Sequence, residues 1–170
     1  PMPTASLIKL AVMVEVYRQV EEDRVDLDDR VKLTSDNTVP GSGLLRKYFS
    51  SGSRLILRDA VRLMIAVSDN TATNLVIDHI GLKSTNSTMA RLGHLNTRIH
   101  AKVFRRETSI DPERSRQFGL GSTTASETVA LLEAIHQGKL VSESASQQML
   151  EHLQACESTE RIPRFLPPGT

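Results

Sequence analysis

The run Leu10-Ala11-Val12-Met13-Val14 restricts the fold of this chain more than any other stretch. With Ile8 before it and Glu15-Val16 after it, apolar residues keep helical spacing, yet the segment is apolar nearly all round. A helix of that kind is surrounded by protein rather than laid on a surface. The pattern predicts a first helix over residues 5–20, buried in the middle of a domain and ended by the solvated turn Glu21-Glu22-Asp23-Arg24. At its start stand Ser6 and Lys9. Positions i and i+3 share a helix face, so the Ser6 hydroxyl and the Lys9 amine can meet at hydrogen-bond distance. A serine hydroxyl is a poor nucleophile until a neighbour takes its proton, and burial is what would leave a lysine amine neutral enough to do so.

The remaining pattern supplies the surroundings. Leu27 to Leu33 alternates apolar and charged residues, as a short edge strand does. A Pro/Gly loop over residues 34–43 leads to a short helix near 44–49. Helices follow over 58–67, 71–80 and 84–92, and again up to His136 and over 142–153. Gly81 and Gly138 stand at helix ends, and Ser122-Thr123-Thr124 with Glu127 resembles an N-cap. Residues 94–121 carry Arg98, Lys102, Arg105, Arg106, Arg114 and Arg116 without periodicity. A loop of that length is functional or disordered. The chain reads as one mainly α domain over residues 1–170, closed by an extended tail from Arg161 to Thr170, with both ends looking cut.

Composition narrows the function classes. Net charge is +1 with both signs interspersed, and there is no Trp, so neither a nucleic-acid surface nor a stacking platform is expected. No apolar run reaches membrane-spanning length. Cys156 is the single cysteine, so no internal disulfide can form. His79, His94, His100, His136 and His152 lack metal-ligand spacing, and no metal or cofactor is expected.

Ser68-Asp69-Asn70 occupies the corner between two helices. There a serine can relay a proton, an asparagine can hold an amide-like substrate, and the aspartate can fix the turn. Asn74 lies one helical turn beyond Asn70 on the same face. The same tripeptide occurs at Ser35-Asp36-Asn37, inside the Pro/Gly loop, where these are ordinary turn residues.

Ser-x-x-Lys followed some 60 residues later by Ser-Asp-Asn resembles the serine β-lactamases and penicillin-binding proteins. The strings Pro3-Thr4-Ala5-Ser6-Leu7-Ile8-Lys9, Leu63 through Asn74, and Ser122-Thr123-Thr124-Ala125 are most similar to the class A group. The tail resembles the segment before that family's third motif. The resemblance implies the helical domain of an α+β fold whose antiparallel sheet is mostly absent here. It implies Ser6 as the acylated nucleophile, its backbone N–H as one oxyanion donor, Lys9 as base partner and Ser68 as proton relay. On the substrate-binding side it implies Asn70 holding the substrate's amide and Asn74 steadying the loop that carries a water-activating glutamate.

The pattern departs from the family in places. No Lys-Thr-Gly or Lys-Ser-Gly occurs in the chain. That motif would lie on a strand a few residues past Thr170, and a chain without it is expected to be nearly inert alone. Ile56 stands where the family usually has a threonine or serine cap. Arg105-Arg106-Glu107 through Asp111 matches the glutamate loop loosely, which makes Glu107 the candidate deacylating residue. In another register Asp111-Pro112-Glu113 takes that place. The implied function is opening of β-lactams or related amides and esters, periplasmic or secreted in a bacterium. The alternatives are a penicillin-binding type of peptidase or esterase with slow deacylation, and a non-catalytic helical domain. An uncovered sheet-facing surface would favour self-association.

Overall fold

Every residue from Ile8 to Tyr17 is buried in the computed structural model, which describes residues 1–156. The chain enters through β1 (Met2–Pro3) and a 3-10 turn over Ala5–Ile8, then continues as α1 (Lys9–Glu21). The single helix expected from residue 5 is therefore split. Ala5 sits in the left-handed region at φ +46, which an α-helix cannot include. In a 3-10 turn, residues i and i+3 eclipse, so Ser6 and Lys9 still share one side.

Around α1 pack α3 (Leu57–Ala66), α4 (Asn70–Ile80), α5 (Leu82–Arg91) and α8 (Glu143–Gln154). Val12, Met13, Val14, Val61, Met64, Val76 and Met89 are fully buried in the shared core. The helix starts follow the sequence signals. Asp69, Thr124 and Ser142 each accept a backbone N–H at the head of α4, of α7 (Ala125–His136) and of α8, each cap contributing about 1 kcal/mol. Ile56 precedes α3 with no side-chain cap.

Two small sheets complete the fold. β2 (Arg30–Lys32) pairs antiparallel with β3 (Arg54–Ile56), a strand that the sequence pattern does not mark. β4 (Arg98–Ile99) and β5 (Gly121–Thr123) join β1 in the order β1-β5-β4, all antiparallel. Residues 94–121, read as a structureless loop, are built from β4, a 3-10 turn (Arg106–Thr108) and α6 (Pro112–Phe118). Their order comes from long-range bonds rather than local periodicity. Ile99 N–H donates to Asn86 Oδ1 at 2.8 Å, and Asn86 Nδ2 donates to the Ile99 carbonyl at 2.9 Å. The tail from Arg161 to Thr170, which carries part of the family resemblance, lies outside the described residues. Among the described residues, no helix is long and apolar enough to cross a membrane.

Candidate active site

The corner between α3 and α4 is held by Asp69. Its Oδ1 accepts the Ala72 N–H at 2.9 Å, and its Oδ2 accepts those of Leu44 and Leu45 at 2.6 and 2.9 Å. One buried carboxylate thus caps α4 and ties down the loop before α2 (Leu45–Tyr48). That loop approaches closely at Gly43: a Cβ built there would lie 2.3–2.6 Å from the Asp69 carboxylate, at φ +128. Only glycine fits. Between the two helices, Ser68 takes φ +55, a left-handed conformation that is uncommon outside glycine and costs energy.

Lys9 holds that strained residue in place. Its Nζ donates to the Ser68 carbonyl at 2.8 Å, to Ser68 Oγ at 2.9 Å and to Asn70 Oδ1 at 3.0 Å. Three ammonium hydrogens meet three uncharged acceptors, and Lys9 is 3% exposed. Burial lowers its pKa from 10.5 to about 8, against the opposing charge of Asp69. Ser68 Oγ lies 3.0 Å from Ser6 Oγ. The direct Ser6–Lys9 bond expected from the spacing is not among the site's hydrogen bonds; Ser68 stands between them. Ser6 itself is exposed. In its turn the first bonded amide is that of Leu7, which donates to the Thr4 carbonyl at 3.0 Å, so the Ser6 N–H precedes the hydrogen-bonded part of the turn.

Ser6 and Asn70 open onto a cavity of about 300 Å³ whose wall also includes Lys102, Val103, Phe104 and Arg106. Asn74, fully buried, fixes that wall: its Oδ1 accepts the Val103 N–H at 2.9 Å and its Nδ2 donates to the Val103 carbonyl at 3.1 Å. Both halves of the amide are used in this clamp. Asn74 therefore supports the loop from beneath and does not itself line the Ser6 cavity.

Glu107 is not brought to Ser6. Its side chain is 65% exposed, lies 3.7 Å from Arg105 and lines an adjoining cavity with Pro112 and Arg116. The clamp at Val103 sets the register of the loop, and it presents Phe104 and Arg106 to the Ser6 cavity while turning Glu107 away. Glu113 lines neither cavity, and among the described residues no carboxylate lines the one beside Ser6. Phe104, at φ +54 and 64% exposed, and Arg106 are the lining residues that sequence reasoning missed. An aromatic directly before the Arg105-Arg106 pair was the available signal. The second tripeptide is a turn: Asn37 Oδ1 accepts the Thr34 N–H at 2.8 Å, Ser35 is exposed, and neither lines the Ser6 cavity.

The mainly α architecture with this pair of motifs corresponds to the helical part of a β-lactamase fold. The model of the beta-lactamase enzyme family matches residues 1–170, and the chain belongs to that family. A crystal structure of a beta-lactamase from Sphaerobacter thermophilus superposes with a TM-score of 0.85 at 32% identity, over 99% of this chain and 61% of that one. PBP-A superposes with a TM-score of 0.85 at 27% identity, over 99% of this chain and 59% of that one. A mutant of PBP-A, 28% identical to this chain, was solved as an acyl-enzyme complex with penicillin G; its TM-score is 0.83 over 99% of this chain and 60% of that one. Beta-lactamase BRO-1 of Moraxella catarrhalis is 24% identical over 92 residues, 54% of this chain and 29% of that protein. The chain thus spans about three-fifths of these solved relatives and under a third of the curated one.

Proposed function

We propose that the protein is a serine acyl-transfer enzyme that opens β-lactams or related amides and esters on Ser6, with release of the acyl group as its slow step. The observation that carries this reading is the line Ser6 Oγ, Ser68 Oγ, Lys9 Nζ, with steps of 3.0 and 2.9 Å ending on a buried amine. With Lys9 neutral, the line can run as a relay: Ser6 donates to Ser68, and Ser68 donates to the amine lone pair. Ser6 Oγ then attacks the carbonyl carbon, its proton passes to Lys9 through Ser68, and the developing oxyanion faces the Ser6 N–H. When the C–N bond breaks, the proton returns through Ser68 to the leaving nitrogen. The product is an ester on Ser6, which water must cleave to an acid and the free hydroxyl.

The slow release rests on the absence of a carboxylate from the cavity beside Ser6, among the described residues, where water would be activated. The acyl-enzyme solved for a relative at 28% identity supports the acylation half. We place the activity in the periplasm or outside the bacterial cell, on the family resemblance alone; cell fractionation tests that placement. Leu7 and Leu132, part-exposed beside an apolar hollow next to Ser6, offer the surface for the self-association expected from sequence, which light scattering tests: a strictly monomeric protein removes it.

Labelling by a fluorescent penicillin tests the main reading. The full-length protein should take up label that survives denaturation, Ser6→Ala should take up none, and Ser35→Ala should label like wild type. Intact-mass analysis should show an adduct that persists in wild type and in Glu107→Gln alike. Labelling of Ser6→Ala would remove the nucleophile. A transient wild-type adduct that becomes persistent in Glu107→Gln would restore Glu107 as the deacylating residue.

A further inference from the structure

The walls of the Ser6 cavity differ in character. One side offers the Asn70 amide, whose Nδ2 also donates to the Pro40 carbonyl at 3.2 Å. The Phe104 ring stands near it across Gly41: a Cβ built on Gly41 would lie 2.6 Å from Asn70 Nδ2 and 3.3 Å from the ring. Phe104 is held at φ +54 with 64% of its surface exposed. A large aromatic kept in an unfavourable conformation and facing water is poorly explained by packing, and such strain concentrates at functional sites.

The charged part of the lining is cationic. Lys102 and Arg106 both line the cavity, and no Asp or Glu does. Lys102 is neutralised by an ion pair with Asp78. The neighbouring Arg105 donates to the Asp36 carbonyl and lies 3.7 Å from Glu107. Arg106 has no carboxylate within ion-pair distance among the described residues, although Glu107 is its sequence neighbour. An unpaired guanidinium on the wall of a part-enclosed cavity is a carboxylate receptor, because its fork matches both oxygens and the surrounding protein reduces screening by water.

We propose that this cavity selects the acyl side of the substrate, favouring acyl groups that combine an aromatic or apolar body with a carboxylate. Phe104 is the apolar wall and Arg106 the partner of the carboxylate. The inference rests on Ser6 being the acylated residue, and it adds a specificity-determining position that the two sequence motifs do not contain.

A pair of penicillins isolates the carboxylate: benzylpenicillin and α-carboxybenzylpenicillin share the ring and differ by that group. The second-order rate of Ser6 acylation in the full-length protein should be about five- to tenfold higher for the carboxylated compound. The ratio should fall towards one in Arg106→Gln, be partly kept in Arg106→Lys, and shrink as salt rises to about 1 M. Arg106 is exposed, so these variants should fold, and rates on benzylpenicillin serve as the internal control. Equal rates in wild type, or a preference that survives in Arg106→Gln, would overturn the inference and leave the nucleophile assignment standing. Failure of both compounds to label Ser6 would remove the assignment itself, and this inference with it.

Discussion

Lys9 and Glu15 lie on the same buried helix, both carry ionisable groups into the core, and both pKa values move down. The two shifts mean opposite things. Burial takes Lys9 from 10.5 to about 8, only partly offset by Asp69, so its surroundings disfavour the charge. For Glu15, burial pushes upward but is overcome by hydrogen bonds from Arg18, Ser84, Thr88 and Gln19, and the carboxyl falls from 4.5 to about 2. Arg18 binds it through Nε and Nη2, both at 2.7 Å, and the Thr88 hydroxyl and Gln19 Nε2 donate at 2.6 Å each. Ser84 donates as well, so the carboxylate ties α1 to α5. One buried charge is answered by a cation and further donors. The other meets only neutral acceptors, and the one opposing charge, the Asp69 carboxylate, is bonded to backbone N–H groups of the α3–α4 corner instead. A group satisfied in every direction is structural. A group left short of compensation, beside an exposed hydroxyl, has the profile of a base.

The largest expected effect tests the Lys9 side of this contrast. Lys9→Met should slow acylation of Ser6 by about 10²–10⁴-fold, the range of a lost general base. It should do so without loss of stability. A lysine held at about 8 instead of 10.5 costs roughly 3 kcal/mol at neutral pH. The variant removes that cost and forfeits three hydrogen bonds of about 1 kcal/mol each. The linkage sign can be checked separately. Between pH 8 and 10.5 the unfolded chain keeps a proton that the folded one has released, so wild-type stability rises with pH across that window. Tyr17, raised to about 12 chiefly by burial, acts in the opposite sense above its ordinary value of 10, and does so equally in both proteins. The difference in denaturant midpoint between wild type and Lys9→Met should therefore change from neutral to alkaline pH. A Lys9→Met protein several kcal/mol less stable than wild type at neutral pH would make Lys9 a structural residue like Glu15.

Glu15→Gln should give the mirror image. The amide presents hydrogens where the carboxylate accepts them and leaves Arg18 without its bidentate partner, for a loss of about 3 kcal/mol. Acylation per folded molecule should be unchanged. Because the folded pKa is depressed, the contribution of Glu15 is present above pH 4.5 and is lost as pH falls towards 2. Buried His152, lowered by desolvation, adds to acid sensitivity in both proteins, so the signature is the difference between their acid denaturation curves. Slower labelling in the folded variant would show that the two buried ionisable groups of α1 are coupled.

The same contrast explains what was legible in the sequence. Helix starts were readable because their signals are local: Asp69, Thr124 and Ser142 each bond an N–H three residues on. The two motifs were readable because α1 is apolar all round and the α3–α4 corner is short. The wall opposite Ser6 was not. Its register is fixed by the bond pair between Asn74 and Val103, 29 positions apart, and by that between Asn86 and Ile99. Matching Glu107 to a short pattern could not sense the Asn74 clamp, which presents Phe104 and Arg106 instead. β3 was missed for a similar reason: three residues pair with β2 from across a long loop, too few to show a period. The Ser6–Lys9 spacing was sound as geometry, but it could not reveal that the strained corner residue Ser68 lies between them.

The smallest expected effect asks whether Asp69 tunes the base. If acylation needs neutral Lys9, its rate should rise with pH about a midpoint near 8. The Asp69 carboxylate is the one charge opposing burial in setting that value. Asp69→Asn removes the charge and keeps one acceptor oxygen; turned to the Leu44 and Leu45 N–H groups, it sets the amide NH2 against the Ala72 N–H, and that bond is lost. The midpoint should then move to lower pH, by about one unit at most, and acylation at neutral pH should rise by a small factor. Stability should drop by about 2–4 kcal/mol, as two charge-assisted bonds weaken and the Ala72 N–H loses its acceptor. A variant that is faster at neutral pH yet less stable separates tuning of the base from damage to the corner, because damage alone lowers both. If the midpoint stays put while stability falls, the titrating group is not Lys9, and the buried amine belongs with Glu15 as part of the scaffold.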